Sequence, residues 1–199
     1  MTCKKWYIIP FILLIFLAAC GDEDKASYEG DFEYEVADFT AINQDGEDVS
    51  TKDFEGKFWI ADFIFTSCTD TCPILTANMA RLQQMVKEEG LDVQFVSFTA
   101  DPQVDKPEVL KKYIEDRGGD LSSWDAFTGY SVQDIEEFAA GSFKVIASKQ
   151  NGAVIHQNYF HLVTPDGKHI KRYNTIPSET NPNPDQLEDI VEDLKTYIK

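Results

Sequence analysis

Residues 58–73, FWIADFIFTSCTDTCP, decide the fold of this 199-residue chain. The first half of the segment is a nearly continuous apolar run, which is the pattern of a strand covered on both faces of its sheet. Apolar residues then recur at helical spacing over 73–89, where proline suits the first turn and Gly90 suits the end. The segment predicts a central strand that leads directly into a long helix, with Cys68 and Cys72 at their junction.

Working outward from this segment, strands and helices alternate before the pattern changes. The sequence predicts a hairpin over 38–50, strands over 91–98, 124–128, 143–148, 154–164 and 169–173, and helices over 106–116, 131–140 and 184–198. Strands joined through helices, followed by antiparallel strands and a covering helix, describe an α/β protein with a mixed central sheet flanked by helices. The thioredoxin-like fold, here with an N-terminal hairpin, is the simplest architecture of this kind.

The beginning of the chain has the pattern of an export signal. Two lysines precede an apolar run, 6–19, which is shorter than the roughly 20 residues that a helix needs to cross a bilayer. The run ends in LAACG and resembles a bacterial lipobox, in which the cysteine is diacylated and becomes the new N-terminus. Cys20 is therefore the predicted lipid attachment point, the alternatives being a short membrane anchor or an ordinary cleaved signal.

This interpretation divides the chain into three parts. Residues 1–19 form the signal peptide, 20–32 a charged, acidic tether without apolar periodicity, and 33–199 the folded domain. The predicted location is the outer face of the bacterial cytoplasmic membrane, to which the protein is lipid-anchored.

Composition excludes two classes of protein. With 43% apolar residues the chain can bury a core, so it is globular rather than an acidic disordered chain. With 35 acidic against 18 basic residues its formal net charge is −17, which repels polyanions, so nucleic-acid binding is excluded.

The cysteines outside the leader carry the chemistry. Cys68 and Cys72 come at the start of the predicted helix, where backbone N–H groups and the helix dipole stabilise a thiolate. Residues four apart on a helical turn are close enough to form a disulfide or to share one metal ion. A purely structural disulfide is the alternative, and it is disfavoured because closing so small a loop stabilises little.

Three motifs in the same order give a resemblance to a known family. FTSCTDTCP at 65–73, DPQVDKPE at 101–108 and HQNYFHLVTPDG at 156–167 resemble the Sco (SenC) family from about Ala37 to the C-terminus. The resemblance implies a thioredoxin-like fold, with copper bound by Cys68, Cys72 and His156. It also implies a metallochaperone role in assembling the dinuclear copper centre of cytochrome c oxidase, with oxidase subunit II as the partner.

The residues themselves leave the histidine less certain than the cysteines. If 154–164 is one strand, His156 and His161 point to opposite faces and only one can face the sulfurs, whereas His169 has no spacing argument. Two thiolates and one imidazole suit Cu(I) and also accommodate Cu(II), whereas structural zinc usually takes a fourth protein ligand. Copper is the predicted cofactor.

Three aspartates are candidates for supporting roles. Asp62 interrupts the buried strand, so its pKa should be raised, and we hypothesise that it helps to deprotonate a cysteine; the alternative is a carboxyl bonded to a neighbouring element. Asp101 and Asp105 are expected either to approach the site or to cap turns and the next helix.

A second function uses the same cysteines. In a thiol-disulfide oxidoreductase, Cys68 would attack and Cys72 would resolve, keeping the oxidase subunit cysteines reduced with the help of a thiol reductant protein. The CxxxC spacing and the absence of a proline directly before His156 favour copper transfer over enzyme activity. A peroxiredoxin is disfavoured because Phe65 stands four residues before Thr69, where that class has proline.

Overall fold

The computed structural model describes residues 28–150, 153–155, 158–176 and 186–198. The strands in these ranges are β1 (Tyr34–Glu35), β2 (Thr40–Ile42), β3 (Asp48–Ser50), β4 (Phe58–Ile64), β5 (Val93–Thr99), β6 (Trp124–Phe127), β7 (Ser148–Gln150), β8 (Ala153–Ile155), β9 (Tyr159–Val163) and β10 (Lys168–Asn174). The α-helices are α1 (Cys72–Glu88), α2 (Pro107–Glu115), α3 (Val132–Phe138) and α4 (Leu187–Tyr197).

The centre of the fold is a mixed sheet in the order β1-β10-β9-β4-β5-β6. Strand β4 runs parallel to β5, which runs parallel to β6, whereas β9 joins the other side of β4 in the antiparallel sense. Every residue of β4 is buried, as its apolar sequence predicts for a strand covered on both faces. The predicted α/β fold with its N-terminal hairpin, β2 with β3, is confirmed.

Side chains of the sheet alternate between two apolar cores. On one face Ile60 and Ile64 of β4 pack with apolar residues of α1, α2 and α4. On the other face Trp59 and Phe63 pack with aromatic residues of α3 and the segment after it, including Phe143. Because β4, β5 and β6 run parallel, their carboxyl ends lie at the same edge of the sheet, and the cysteines follow β4 at that edge.

The outer strand β6 is partly covered by side-chain and main-chain partners, whereas the other outer strand, β1, is only two residues long. The Ala126 N–H of β6 donates to the side-chain oxygen of Gln44 at 2.7 Å, and Ile42 and Thr128 exchange backbone hydrogen bonds at 2.9 Å. At the opposite edge, the short strand β1 pairs with β10 through Tyr34 and His169.

The predicted strand over 143–148 is wrong for most of its length. Residues Ala139–Phe143 continue α3 as a π-helical turn, which ends at Lys144 in the left-handed conformation (φ 56°). The ring of Phe143 is buried against Phe63 and Phe98 of the sheet, so the apolar pattern of this segment reports its contact with the core and not a strand.

The predicted strand over 154–164 is interrupted. Strand β8 ends at Ile155 and pairs with β7, and β9 begins only at Tyr159. The alternation argument that related His156 to His161 therefore fails, because Asn158, which lies between them, belongs to no strand. His156 itself lies outside the described residues, as do the predicted signal peptide 1–19 and Cys20.

None of the helices in the described ranges is both long and apolar enough to cross a membrane.

Candidate metal centre

The two cysteines meet where β4 turns into α1. Strand β4 ends at Ile64, and α1 begins at Cys72, with Pro73 in its first turn. Cys72 is buried and Cys68 is partly exposed; neither is in a disulfide, and the Cys72 N–H donates to the Cys68 sulfur at 3.4 Å. The helix start therefore holds a dithiol with one sulfur accessible from outside.

The surroundings make the two thiols chemically different. Partial burial by itself raises the pKa of Cys68, but the N–H groups of Cys72, Asp70 and Thr71 that point at its sulfur outweigh this effect, and the pKa is lowered. Burial raises the pKa of the Cys72 thiol strongly, and the nearby Cys68 raises it further. Cys68 is the more readily ionised sulfur.

Asp62 is buried in β4, on the side of the sheet that carries α1. Burial raises its pKa to about 7, as the sequence predicts, although a hydrogen bond at 2.6 Å from the Ser97 hydroxyl opposes the shift. The Ser97 oxygen in turn accepts a hydrogen bond from the Trp124 ring N–H at 3.0 Å. Asp62 also adds to the raised pKa of Cys72, so the carboxyl is close enough for its charge to act on this sulfur.

Asp105 lies directly behind the cysteine loop. Its carboxylate accepts hydrogen bonds from the N–H and the hydroxyl of Thr66 and from the hydroxyl of Thr99. Asp101 is buried in the same turn, where its carbonyl accepts the N–H of Asp105 at 2.9 Å and its N–H donates to the Thr99 hydroxyl. Of the two predicted supporting aspartates, Asp105 contacts the cysteine loop through its side chain, whereas the main chain of Asp101 shapes the turn.

The remaining histidines form a pair of their own. His161 Nδ1 and His169 Nε2 lie 3.1 Å apart, and both residues are buried. The ring of His161 contacts Phe63 and Phe143, which belong to the core beside α3, so the pair lies on the face of the sheet opposite α1. Neither imidazole is directed toward the cysteines.

Comparison with known proteins identifies the family. The profile of the SCO1/SenC family matches residues 28–199. The chain belongs to the SCO1/SenC family. It is 44% identical to the SCO1 protein homolog of Bacillus subtilis over 187 residues, which is 93% of this chain and 92% of that protein.

Solved structures of Sco proteins share the fold. A SCO1/SenC family lipoprotein from Bacillus anthracis is 47% identical, with a TM-score of 0.75 over 82% of this chain and 95% of that one. BsSco, a member of the Sco family of cytochrome c oxidase assembly proteins, is 45% identical, with a TM-score of 0.75 over 86% and 96%. Arabidopsis thaliana ScoI with copper bound is 26% identical, with a TM-score of 0.66 over 81% and 98%.

As a metal site, the described part of this Sco protein is incomplete. Within the described ranges no three His, Cys, Asp or Glu side chains come together as a metal cluster. The structure brings together two of the predicted ligands, Cys68 and Cys72, and the third, His156, lies outside those ranges. Two adjacent sulfurs, of which one is accessible, are chemically suited to a soft ion such as Cu(I).

Sequence reasoning missed the threonines that hold the cysteine loop of this Sco protein. Thr66 and Thr99 stand just beyond the end of β4 and at the end of β5, and both donate to Asp105. The available signal was their position, because polar residues at the carboxyl ends of adjacent parallel strands meet at one edge of a sheet.

Proposed function

We propose that this protein binds one copper ion through Cys68, Cys72 and His156 and assists assembly of the dinuclear copper centre in subunit II of cytochrome c oxidase. The observation that carries the proposal is the reduced sulfur pair at the start of α1, with Cys68 partly exposed. Two relatives support it: Arabidopsis ScoI has been solved with copper bound, and BsSco belongs to a family of oxidase assembly proteins.

The donor set matches copper as a cargo. Thiolates are soft ligands that favour Cu(I), and an imidazole together with thiolates also accommodates Cu(II). The three-ligand set leaves the ion accessible to an incoming ligand of the acceptor protein. Cys68, the partly exposed and more readily ionised sulfur, is the group that an acceptor would meet first.

Copper titration of the reduced mature protein under anaerobic conditions tests the ligand set. In competition with a chromophoric Cu(I) chelator, Cys68→Ser, Cys72→Ser and His156→Ala should each lower affinity by at least roughly tenfold, since each removes one ligand. His169→Gln is the matched control, because it changes a histidine on the opposite face of the sheet. If His156→Ala keeps wild-type affinity, this ligand assignment is wrong.

The unequal cysteines also favour a second candidate, a thiol-disulfide oxidoreductase. The Cys68 thiolate would attack one sulfur of a substrate disulfide, forming a mixed disulfide and releasing the other substrate sulfur as a thiolate. The Cys72 thiolate would then attack Cys68, so that the substrate leaves fully reduced and Cys68–Cys72 becomes the disulfide. Two electrons pass to the substrate, and a thiol reductant protein would restore the pair.

A comparison of variants in cells separates the two candidates. His156→Ala removes the proposed imidazole ligand but leaves both thiols, so it should abolish oxidase assembly in copper transfer and preserve it in pure thiol reduction. Activity of the assembled oxidase at limiting copper is the measurement, and Cys68→Ser is the reference for complete loss in both cases.

Asp62 has a proposed role in either reaction. Cys72 must lose its proton before it can bind copper or resolve a mixed disulfide, and the Asp62 carboxyl acts electrostatically on this thiol from β4. We propose that Asp62 receives that proton. Asp62→Asn should then alter the pH dependence of Cys72 alkylation in a Cys68→Ser background, and an unchanged profile would remove the role.

We also propose that residues 1–19 are removed, that Cys20 is lipidated, and that the residues following Cys20 tether the domain to the outer face of the cytoplasmic membrane. The predicted tether, 20–32, is too long at its end, because the N–H groups of Asp31 and Phe32 donate to the Ile170 carbonyl of β10. The similar protein from Bacillus anthracis is described as a lipoprotein, which supports this location. Cys20→Ala should prevent incorporation of labelled fatty acid and release the protein from the membrane fraction, and continued membrane association of that variant would contradict the anchor.

A further inference from the structure

One buried carboxylate fixes the loop that carries Cys68. Asp105 Oδ2 accepts the Thr66 N–H at 3.1 Å, its Oδ1 accepts the Thr66 hydroxyl, and its Oδ2 also accepts the Thr99 hydroxyl. Asp105 is completely buried, and its main-chain carbonyl accepts the Thr128 hydroxyl at 2.7 Å. We call the side-chain bonds of Asp105 with Thr66 and Thr99 the Asp105 clamp.

The clamp acts on the Phe65–Thr66 peptide, at the start of the cysteine loop. Phe65, which precedes Thr66, accepts the Cys68 N–H at 3.2 Å through its carbonyl. The backbone of Phe65 also hydrogen-bonds to the Cys72 sulfur. Because Thr66 is held through its N–H and its hydroxyl, the Phe65–Thr66 peptide cannot turn without breaking the clamp. Through Phe65, the clamp therefore bears on the main chain of Cys68 and on the Cys72 sulfur.

The chemistry of the clamp requires a carboxylate. Three donors, two from Thr66 and one from Thr99, converge on the two oxygens of Asp105. An ionised carboxylate only accepts hydrogen bonds, whereas an amide directs an NH₂ group at one of these donors. Asparagine keeps the size of the side chain but replaces one accepting oxygen with a donor, so at least one of the three hydrogen bonds is lost or reversed, and the others lose the carboxylate charge that strengthens them.

We propose that Asp105 is a positioning residue of the copper site, which sets the separation and orientation of the Cys68 and Cys72 sulfurs through the Thr66 peptide. This inference rests on the proposed copper binding. The inference goes beyond copper binding because it assigns control of the ligand geometry to Asp105. This carboxylate lies more than thirty positions after the cysteines and is not itself a proposed ligand.

Asp105→Asn in the mature reduced protein tests the proposal. We expect Cu(I) affinity to fall at least tenfold, and the sulfur-to-copper charge-transfer band of the Cu(II) complex to shift or weaken. Thr128→Val is the matched control: it removes a buried hydrogen bond to the main chain of the same aspartate and leaves the clamp intact. This control should keep wild-type affinity and spectrum.

Thr66→Val keeps the proposal testable if Asp105→Asn does not fold, because it removes only the hydroxyl bond of the clamp and retains the N–H. Its copper affinity and spectrum should fall between those of Asp105→Asn and wild type. A wild-type spectrum and affinity in a folded Asp105→Asn or in Thr66→Val overturns the proposal, as does an equal loss in Thr128→Val.

Failure of the copper function itself gives a different result. If the wild-type protein binds no copper, the clamp is judged by the reduction potential of the Cys68–Cys72 pair in redox buffers. Asp105→Asn should then shift that potential and Thr128→Val should not, and equal potentials in all three proteins overturn the positioning role.

Discussion

Replacement of His169 by glutamine should make the stability of this protein less sensitive to acid. In the wild type, the imidazoles of His169 and His161 are 3.1 Å apart, buried among the rings of Phe32, Phe143 and other apolar groups. Burial, with a smaller contribution from nearby cations, lowers the pKa of His169 to about 4, although hydrogen bonds to backbone carbonyls oppose the shift. Burial also holds the pKa of His161 well below its ordinary value.

The sign follows from the pKa values of the folded and unfolded chains. The unfolded chain binds the proton more tightly, because the pKa of His169 is 6.5 there and about 4 in the fold. The stability contributed by the neutral imidazole is complete above pH 6.5 and is lost as the pH falls toward 4. Between pH 7 and pH 5 the loss assigned to His169 is about 1.8 kcal/mol.

Urea unfolding at pH 7 and at pH 5, at one ionic strength, measures this quantity. His169→Gln removes the titrating group. The difference in free energy of unfolding between this variant and the wild type should therefore shift by about 1.8 kcal/mol in favour of the variant between pH 7 and pH 5. Ser131→Ala is the control, because it lowers stability without a group that titrates in this range. A relative free energy that stays constant to within about 0.5 kcal/mol would refute the assignment of acid sensitivity to His169.

Three further outcomes are expected. Burial raises the pKa of Asp62 from 3.8 to about 7, so the folded protein loses stability as the pH rises through 7. In denaturant titrations, the free energy of unfolding of the wild type should fall by about 1.4 kcal/mol between pH 6 and pH 8 from this group, and that of Asp62→Asn should not show this loss. Iodoacetamide reacts with thiolates, so at pH 7 the variant that retains Cys68, Cys72→Ser, should be alkylated at least roughly tenfold faster than Cys68→Ser. Equal alkylation rates would contradict the difference in pKa between the two thiols. Ser131→Ala should cost about 1 kcal/mol in urea unfolding, because the Ser131 hydroxyl accepts the Asp134 N–H at the start of α3; an unchanged midpoint would contradict the cap.

The part of the fold that local pattern determines was predictable from the sequence. The apolar run of β4 and the apolar stripe of α1 are each visible within a short stretch of sequence. The junction between them, at Cys68 and Cys72, could therefore be predicted. The segment around Phe143 has the composition of a strand, but its burial comes from rings of the sheet that are distant in the chain. A pattern that depends on such contacts cannot be distinguished locally from a strand.

The supporting residues of the site required the tertiary structure. The sequence left open whether Asp105 approaches the site or caps a turn, and the bond to Thr66, 39 positions away, decides that it contacts the cysteine loop. The pairing of His161 with His169 depends on strand register, which shifts just after His169. His156 stays a prediction of the family resemblance, because it lies outside the described residues.

The two outer strands of the sheet affect how readily copies of this protein aggregate at high concentration. A free strand margin is a template onto which another chain can add its own backbone, the first step toward fibrous aggregates. Here the Gln44 side chain occupies the Ala126 amide of β6, and the two-residue strand β1 is too short to recruit a long partner. At high protein concentration, neither margin therefore offers a neighbouring copy a long row of unpaired backbone groups, which disfavours association of two copies through their sheets.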